Sequence, residues 1–152
     1  MPDLLAGTVV KAEDTPRTKS ARGDSSFTAT ITGFGVGTTS GTYEEGAVVI
    51  VAPTTGRIKI HTAARMTNSS TGGTLVAPEI RAGDVIGSGT AVQTIGDGHG
   101  VSHYGASFAR CGAATFVEGL TPGASYNVRL LHRASANTAT IALRELIVEP
   151  AT

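Results

Sequence analysis

The sequence reads as an all-β fold, and three observations carry that reading. Thr supplies 22, Ala 21 and Gly 20 of the 152 residues. Thr and Val suit a pleated, half-buried surface, while glycines spread along the chain disrupt helices and allow the positive φ angles of tight turns. Apolar and polar residues alternate at period two in several stretches. Turn signals recur roughly every 8 to 12 residues with no helical stretch between them, the spacing of a sandwich, jelly roll or barrel. The length suits one domain with a continuous core. With 4 Phe, 3 Tyr and no Trp, that core is thin and built mainly from Val, Ile, Leu and Ala.

Residues 1–24 open with Leu4, Leu5, Val9 and Val10 and continue through a polar stretch of interspersed charges containing Pro16. A segment with so little to bury is expected to be an extended N-terminal arm, ordered by docking those four apolar residues on a neighbour. The β-sandwich domain is expected over residues 25–152. It starts with an alternation that sets Phe27, Ala29, Ile31 and Gly33 against Ser26, Thr28, Thr30 and Thr32. A glycine-rich loop runs to Gly41, and the apolar run 47–52 is short enough for a strand covered on both faces. After a turn at 53–56 comes the clearest alternation in the chain. Ile58, Ile60, Thr62, Ala64 and Met66 share one face; Arg57, Lys59, His61, Ala63 and Arg65 share the other.

A loop at 68–73 leads to a strand at 75–81, in which Pro78 predicts an edge position or a bulge. Shorter extended pieces are expected at 90–95, 103–111 and 114–117. Pro122 and Gly123 make 118–123 a strong turn, because proline presets φ and the glycine tolerates positive φ. Residues 126–133 and 138–148 then form the closing strands around a turn at 134–137.

Twelve basic residues balance twelve acidic ones, so no overall field draws the chain to nucleic acid or to an anionic membrane. No apolar run reaches the roughly 20 residues of a membrane helix, and the N-terminus lacks a basic region followed by an apolar core. The expectation is synthesis in the cytoplasm without a signal peptide. Cys111 is the only cysteine, so there is no internal disulfide framework, and it reads as a small core residue.

No catalytic chemistry is legible. Zinc needs three or four convergent ligands, whereas the four histidines, His61, His99, His103 and His132, lie on loops and strands without a Cys pair or a helical framework. The tightest cluster is Asp97, His99 and His103. The Gly105-Ala-Ser107-Phe-Ala109 segment lacks the final glycine of a nucleophile elbow. Glu44, Glu45, Asp84 and Asp97 are scattered acids on turns, and Gly33-Phe-Gly-Val-Gly37 has no helix after it to make a dinucleotide site. No cofactor and no metal are expected. Arg22-Gly23-Asp24 reads as a chance adhesion tripeptide, and Asn68-Ser-Ser70 as a loop. The basic face of Arg57, Lys59, His61 and Arg65 is a solvated outer sheet face or a surface that meets acids on a neighbouring subunit or ligand.

The segments Val51-Ala-Pro-Thr-Thr-Gly-Arg-Ile58, Val76-Ala-Pro-Glu-Ile-Arg81, Gly119-Leu-Thr-Pro-Gly-Ala-Ser-Tyr-Asn-Val-Arg-Leu-Leu-His-Arg133 and Arg144-Glu-Leu-Ile-Val-Glu-Pro150 resemble small virion proteins of tailed phages infecting actinobacteria. The opening Leu5-Ala-Gly-Thr-Val-Val10 is similar to the start of phage fibre and spike proteins. The resemblance covers nearly the whole chain and rests on turns and strand edges. It implies an antiparallel, jelly-roll-like β-sandwich, often a homotrimer, located on the virion. The place is the capsid surface as a decoration or head-fibre protein, ahead of the tail as a minor component. The partners it implies are a major capsid protein or a tail protein, and it names no catalytic residue. A second class is a host-adhesion module whose loops 33–41 and 96–100 bind a surface glycan, although Tyr43, Tyr104 and Tyr126 offer few aromatic platforms.

Overall fold

The structure is a computed structural model and describes residues 16–152. Leu4, Leu5, Val9 and Val10 lie outside the described residues. Alternating stretches become strands with the apolar side turned inward, although of the one at 26–33 only Phe27–Ala29 pairs into a sheet. The strands are β1 (Lys19–Gly23), β2 (Phe27–Ala29), β3 (Gly37–Thr38), β4 (Gly41–Thr42), β5 (Ala47–Val51), β6 (Ile58–Asn68), β7 (Gly73–Ala82), β8 (Val101–Tyr104), β9 (Ala109–Val117), β10 (Ser125–Ala134) and β11 (Ala139–Pro150). The fold is all-β, and the one helical turn among the described residues is a 3-10 turn at Asp97–His99.

Two antiparallel sheets face each other. The first has the order β1-β11-β6-β9, with β2 pairing β11 beyond the end of β1, and the second has the order β5-β10-β7-β8. The hairpin of β3 and β4 stands apart. Pairings nest along the chain: β1 and β2 with β11, β5 with β10, β6 with β9 and β7 with β8. The chain thus folds as one long hairpin whose successive strand pairs are laid alternately in the two sheets. That is the jelly-roll arrangement.

The inner faces meet in one core. Ile58, Ile60 and Met66 of β6 join Ile141, Leu146 and Val148 of β11 from the first sheet, against Ile50, Ile80, Val128 and Leu130 from the second. Burying each such side chain contributes roughly 1.5–3 kcal/mol.

Several boundaries differ from the sequence reading. The sheet begins at Lys19, before the expected start at 25, because Ser20 to Gly23 hydrogen-bond into register with Ile147 to Arg144. The piece expected at 90–95 reduces to a bridge between Ala91 and Arg81. The stretch 103–111 breaks at Gly105, where φ is +104°, and the two sides enter different sheets as β8 and β9. Pro78 lies in an interior strand, paired with Leu130. It is tolerated there because β8 covers only Gly73 to Val76 and the next bridge on that side comes at Arg81, so around Pro78 that side of β7 is locally an edge.

β11 carries a bulge. Ala142 pairs Arg65 and Glu145 pairs Ala63, which leaves Leu143 and Arg144 opposite Ala64. Leu143 has φ +47°. Bulges re-aim side chains, and this one turns Arg144 into the sandwich, where it is fully buried.

Candidate functional site

The outer face of the first sheet holds the charged residues singled out in the sequence. Cross-strand rows set Glu149, Lys59 and Phe116 side by side, then Ile147, His61 and Ala114, then Glu145, Ala63 and Gly112, with Arg65 beside Arg110 at the far end. Arg57 precedes β6. Period-two geometry places Lys59, His61 and Arg65 on one face, and the folded chain brings carboxylates beside Arg57, Lys59 and His61. Arg57 lies 3.2 Å from Glu118, Lys59 3.9 Å from Glu149, and His61 Nε2 2.9 Å from Glu149 Oε1. The His61 hydrogen bond, assisted by the Lys59 charge, outweighs slight desolvation and holds the Glu149 carboxyl below its ordinary pKa. Arg65 stacks over the Phe108 ring at 4.0 Å. The face is therefore mixed and locally neutralised, with a shallow depression lined by His61, Ala63, Gly112 and Ala114 at its centre.

Several of the other flagged residues are engaged internally, while Asp84 is exposed. Asp97 accepts two hydrogen bonds from Arg133, and His103 Nε2 donates to the Ser107 carbonyl at 2.7 Å. Among the described residues no three His, Cys, Asp or Glu side chains converge into a metal-holding group. Arg22-Gly23-Asp24 does not lie on a free arm: Arg22 and Gly23 belong to β1, Gly23 is buried against the Tyr43 hydroxyl, and the exposed Arg22 pairs with Asp24. Asn68 is 1 % exposed and its amide donates to the Ala136 carbonyl, so a sugar has no access to that nitrogen. Glu44 sits 3.8 Å from Arg129, and Tyr43 donates to Glu45 at 2.5 Å.

Two buried ionic groups escaped the sequence reading. On the outer face of the second sheet Glu79 accepts from Arg81 at 2.7 Å and from Arg129 at 2.6 Å. Burial pushes the Glu79 carboxyl up, but hydrogen bonds from Arg81 and Arg129 and their charges prevail and hold it below its ordinary pKa. The 83–100 connection folds back over this face. Asn127 pins it, accepting from Gly87 N and donating to the carbonyls of Arg81, Gly83 and Ser88. Gly100 packs so closely that a Cβ there would lie 2.1 Å from the Val76 carbonyl oxygen.

The second group surrounds Arg144, whose guanidinium lies 4.1 Å from the Tyr43 ring centre and 5.0 Å from that of Phe27. It donates to the Glu45 carbonyl through Nη2, while Nε and Nη1 have no partner. Burial, partly offset by Tyr43, pulls its pKa down to about 10. His132, also fully buried, packs against Phe27 and donates from Nε2 to the Gly37 carbonyl at 2.8 Å. Its pKa is lowered, mainly by burial with a contribution from Arg144, against that hydrogen bond. A sequence signal for Arg144 did exist. The core residues of the last strand change from odd positions at Ile141 to even ones at Leu146, and such a break in parity marks a bulge.

Fold and surface together define a class: a two-sheet jelly-roll β-sandwich with a neutralised outer face. No protein-family model and no curated protein matches the chain. A solved structure does: a chain in the structure of infectious bursal disease virus, Gx strain, superposes with a TM-score of 0.51 at 15 % identity. The match covers 96 % of this chain and 36 % of the viral one, so this chain spans about a third of the length of that protein. At this identity the likeness is one of fold.

Proposed function

We propose that this chain is a non-enzymatic structural protein of a virus particle, namely a capsid decoration or head-fibre protein on the surface of a tailed phage. The observation that carries the reading is the nested jelly-roll sandwich of this chain, which superposes over 96 % of its length on a chain of a virus structure. Double-sheet jelly rolls recur in viral capsid domains. In this reading the residues that precede β1, through Leu4, Leu5, Val9 and Val10, anchor the sandwich to a major capsid protein, and copies associate as homotrimers. The outer face of Arg57, Lys59, His61 and Arg65 then needs no acidic partner, since Glu118, Glu149 and the Phe108 ring already engage it.

The test is addition of the purified chain to capsids and to tails of particles that lack it, followed by sedimentation. Saturable binding to capsids is the expected result. Binding to tails alone would move the protein to a minor tail position, and binding to neither would overturn the virion reading. Deleting residues 1–15 keeps β1 intact and is expected to abolish attachment; undiminished attachment would remove the arm from the account. The host-adhesion alternative draws on Tyr104, 60 % exposed, because Tyr126 is buried and Tyr43 is stacked on Phe27. Glycan-array binding abolished by Tyr104→Ala would favour it.

A further inference from the structure

The strands at the sheet margins differ in how they leave their free edges. β1 and β5 have five residues each and β8 has four, and β1 carries Lys19 and Arg22. β9 has nine residues, keeps unbroken register with β6 from Ala109 to Val117, and contains no Lys, no Pro and no bulge. Among the described residues no backbone group hydrogen-bonds along its free side. Short strands, lysines, prolines and bulges are the devices that keep sheet edges from pairing with other chains. The longest margin of this sandwich has none of them, and its one charged residue, Arg110, is already paired with Glu145.

The strand is also complementary to itself. Arg110, Gly112, Ala114 and Phe116 alternate on its exposed face. Laid antiparallel against a second β9 about Ala113, Arg110 falls opposite Phe116 and Gly112 opposite Ala114. The Phe116 ring is 50 % exposed. The Arg110 guanidinium is held in place by the Leu143 carbonyl at 3.1 Å and by Glu145 at 2.8 Å. Those contacts draw the guanidinium inward across β6 and leave the aliphatic stem of Arg110 facing the Phe116 ring of the second copy, and the small central residues obstruct nothing. The zero net charge and the internal pairing of the sheet face leave little repulsion between copies.

We propose that β9 pairs antiparallel with β9 of a second copy of this chain, about a two-fold axis at Ala113, so that the first sheets of the two copies become one continuous sheet. This contact leaves the β1, β5 and β8 margins free, so it is independent of any three-fold association and of attachment to particles.

Register is the most direct readout. Gly112→Cys and Ala114→Cys, each combined with Cys111→Ala, put thiols on directly opposed residues, whose Cβ atoms lie about 4.5–5.5 Å apart in such a pair. Position 112 is open enough for a side chain, with no other atom within 3.7 Å of a Cβ there and the Thr62 carbonyl oxygen at 3.8 Å. Mixing the two variants under oxidation is expected to give a cross-linked pair in severalfold greater yield than either variant alone. Equal yields, or no cross-link, would overturn the proposal. Sedimentation of the full chain over a concentration series is expected to show species built on twice 15.4 kDa, lost in Phe116→Lys with the β-sheet circular dichroism unchanged. A chain that stays single at every concentration, or an association that Phe116→Lys leaves intact, would also overturn it. Because the chain is measured alone, failure to bind capsids has no bearing on this result.

Discussion

Glu79 and Arg144 are both charged and both buried, yet they are held in opposite ways. Glu79 has two arginine partners, so Glu79→Gln leaves Arg81 and Arg129 without their carboxylate and is expected to cost about 3 kcal/mol in urea unfolding at neutral pH. Arg144 keeps two nitrogens without partners and gains mainly from the rings of Phe27 and Tyr43. Arg144→Met trades those stacking contacts for relief of desolvation and is expected to remain within about 1 kcal/mol of the native protein. His132 adds a pH dependence. Its folded pKa is lowered, so below the ordinary histidine range the unfolded chain takes up a proton that the folded one does not, and stability falls. Glu79, also lowered, adds a further loss as the pH drops through and below the ordinary carboxylate range. Unfolding midpoints measured from pH 7 to pH 5 should decline in the native protein and decline less in His132→Gln.

At the scale of the element, Asn127 ties the first part of the 83–100 connection to the second sheet. Asn127 is 1 % exposed and holds four backbone groups of this region. Asn127→Ala is expected to cost about 2–3 kcal/mol, from several buried polar groups left unpaired. It should also raise hydrogen exchange across residues 83–92 while β6 and β11 stay protected. The same scale shows why some elements were legible and others were not. β6 and β10 alternate cleanly and run long, so their existence follows from pattern alone. Residues 90–95 have strand composition, yet only Thr90 to Val92 meet β7, in a single bridge at Ala91, and pairing is a property of two segments. β9 looked like two fragments around Gly112, because glycine weakens the pattern although its backbone continues in register with Ala63. The charged face was legible as a row of residue numbers. The acids that neutralise it were not, since Glu118 and Glu149 come from distant parts of the chain.

For the whole molecule, nested pairing has a kinetic consequence. β1 must find β11 and β5 must find β10 across most of the chain, so loop-closure entropy is lost before the contacts form. Refolding from urea, followed by tyrosine fluorescence, is expected to take milliseconds to seconds, as for other sheets dominated by distant pairings. Composition, period-two alternation and turn residues were by themselves sufficient to determine an all-β sandwich with a thin aliphatic core, because side-chain alternation and turn chemistry are local. Only the tertiary structure decided which strands are neighbours, where Glu79, His132 and Arg144 are buried, which charges cancel, and that β9 is a long margin left bare among the described residues. Each of those depends on what another segment brings alongside, and the sequence separation between partners is too large for any local pattern to record it.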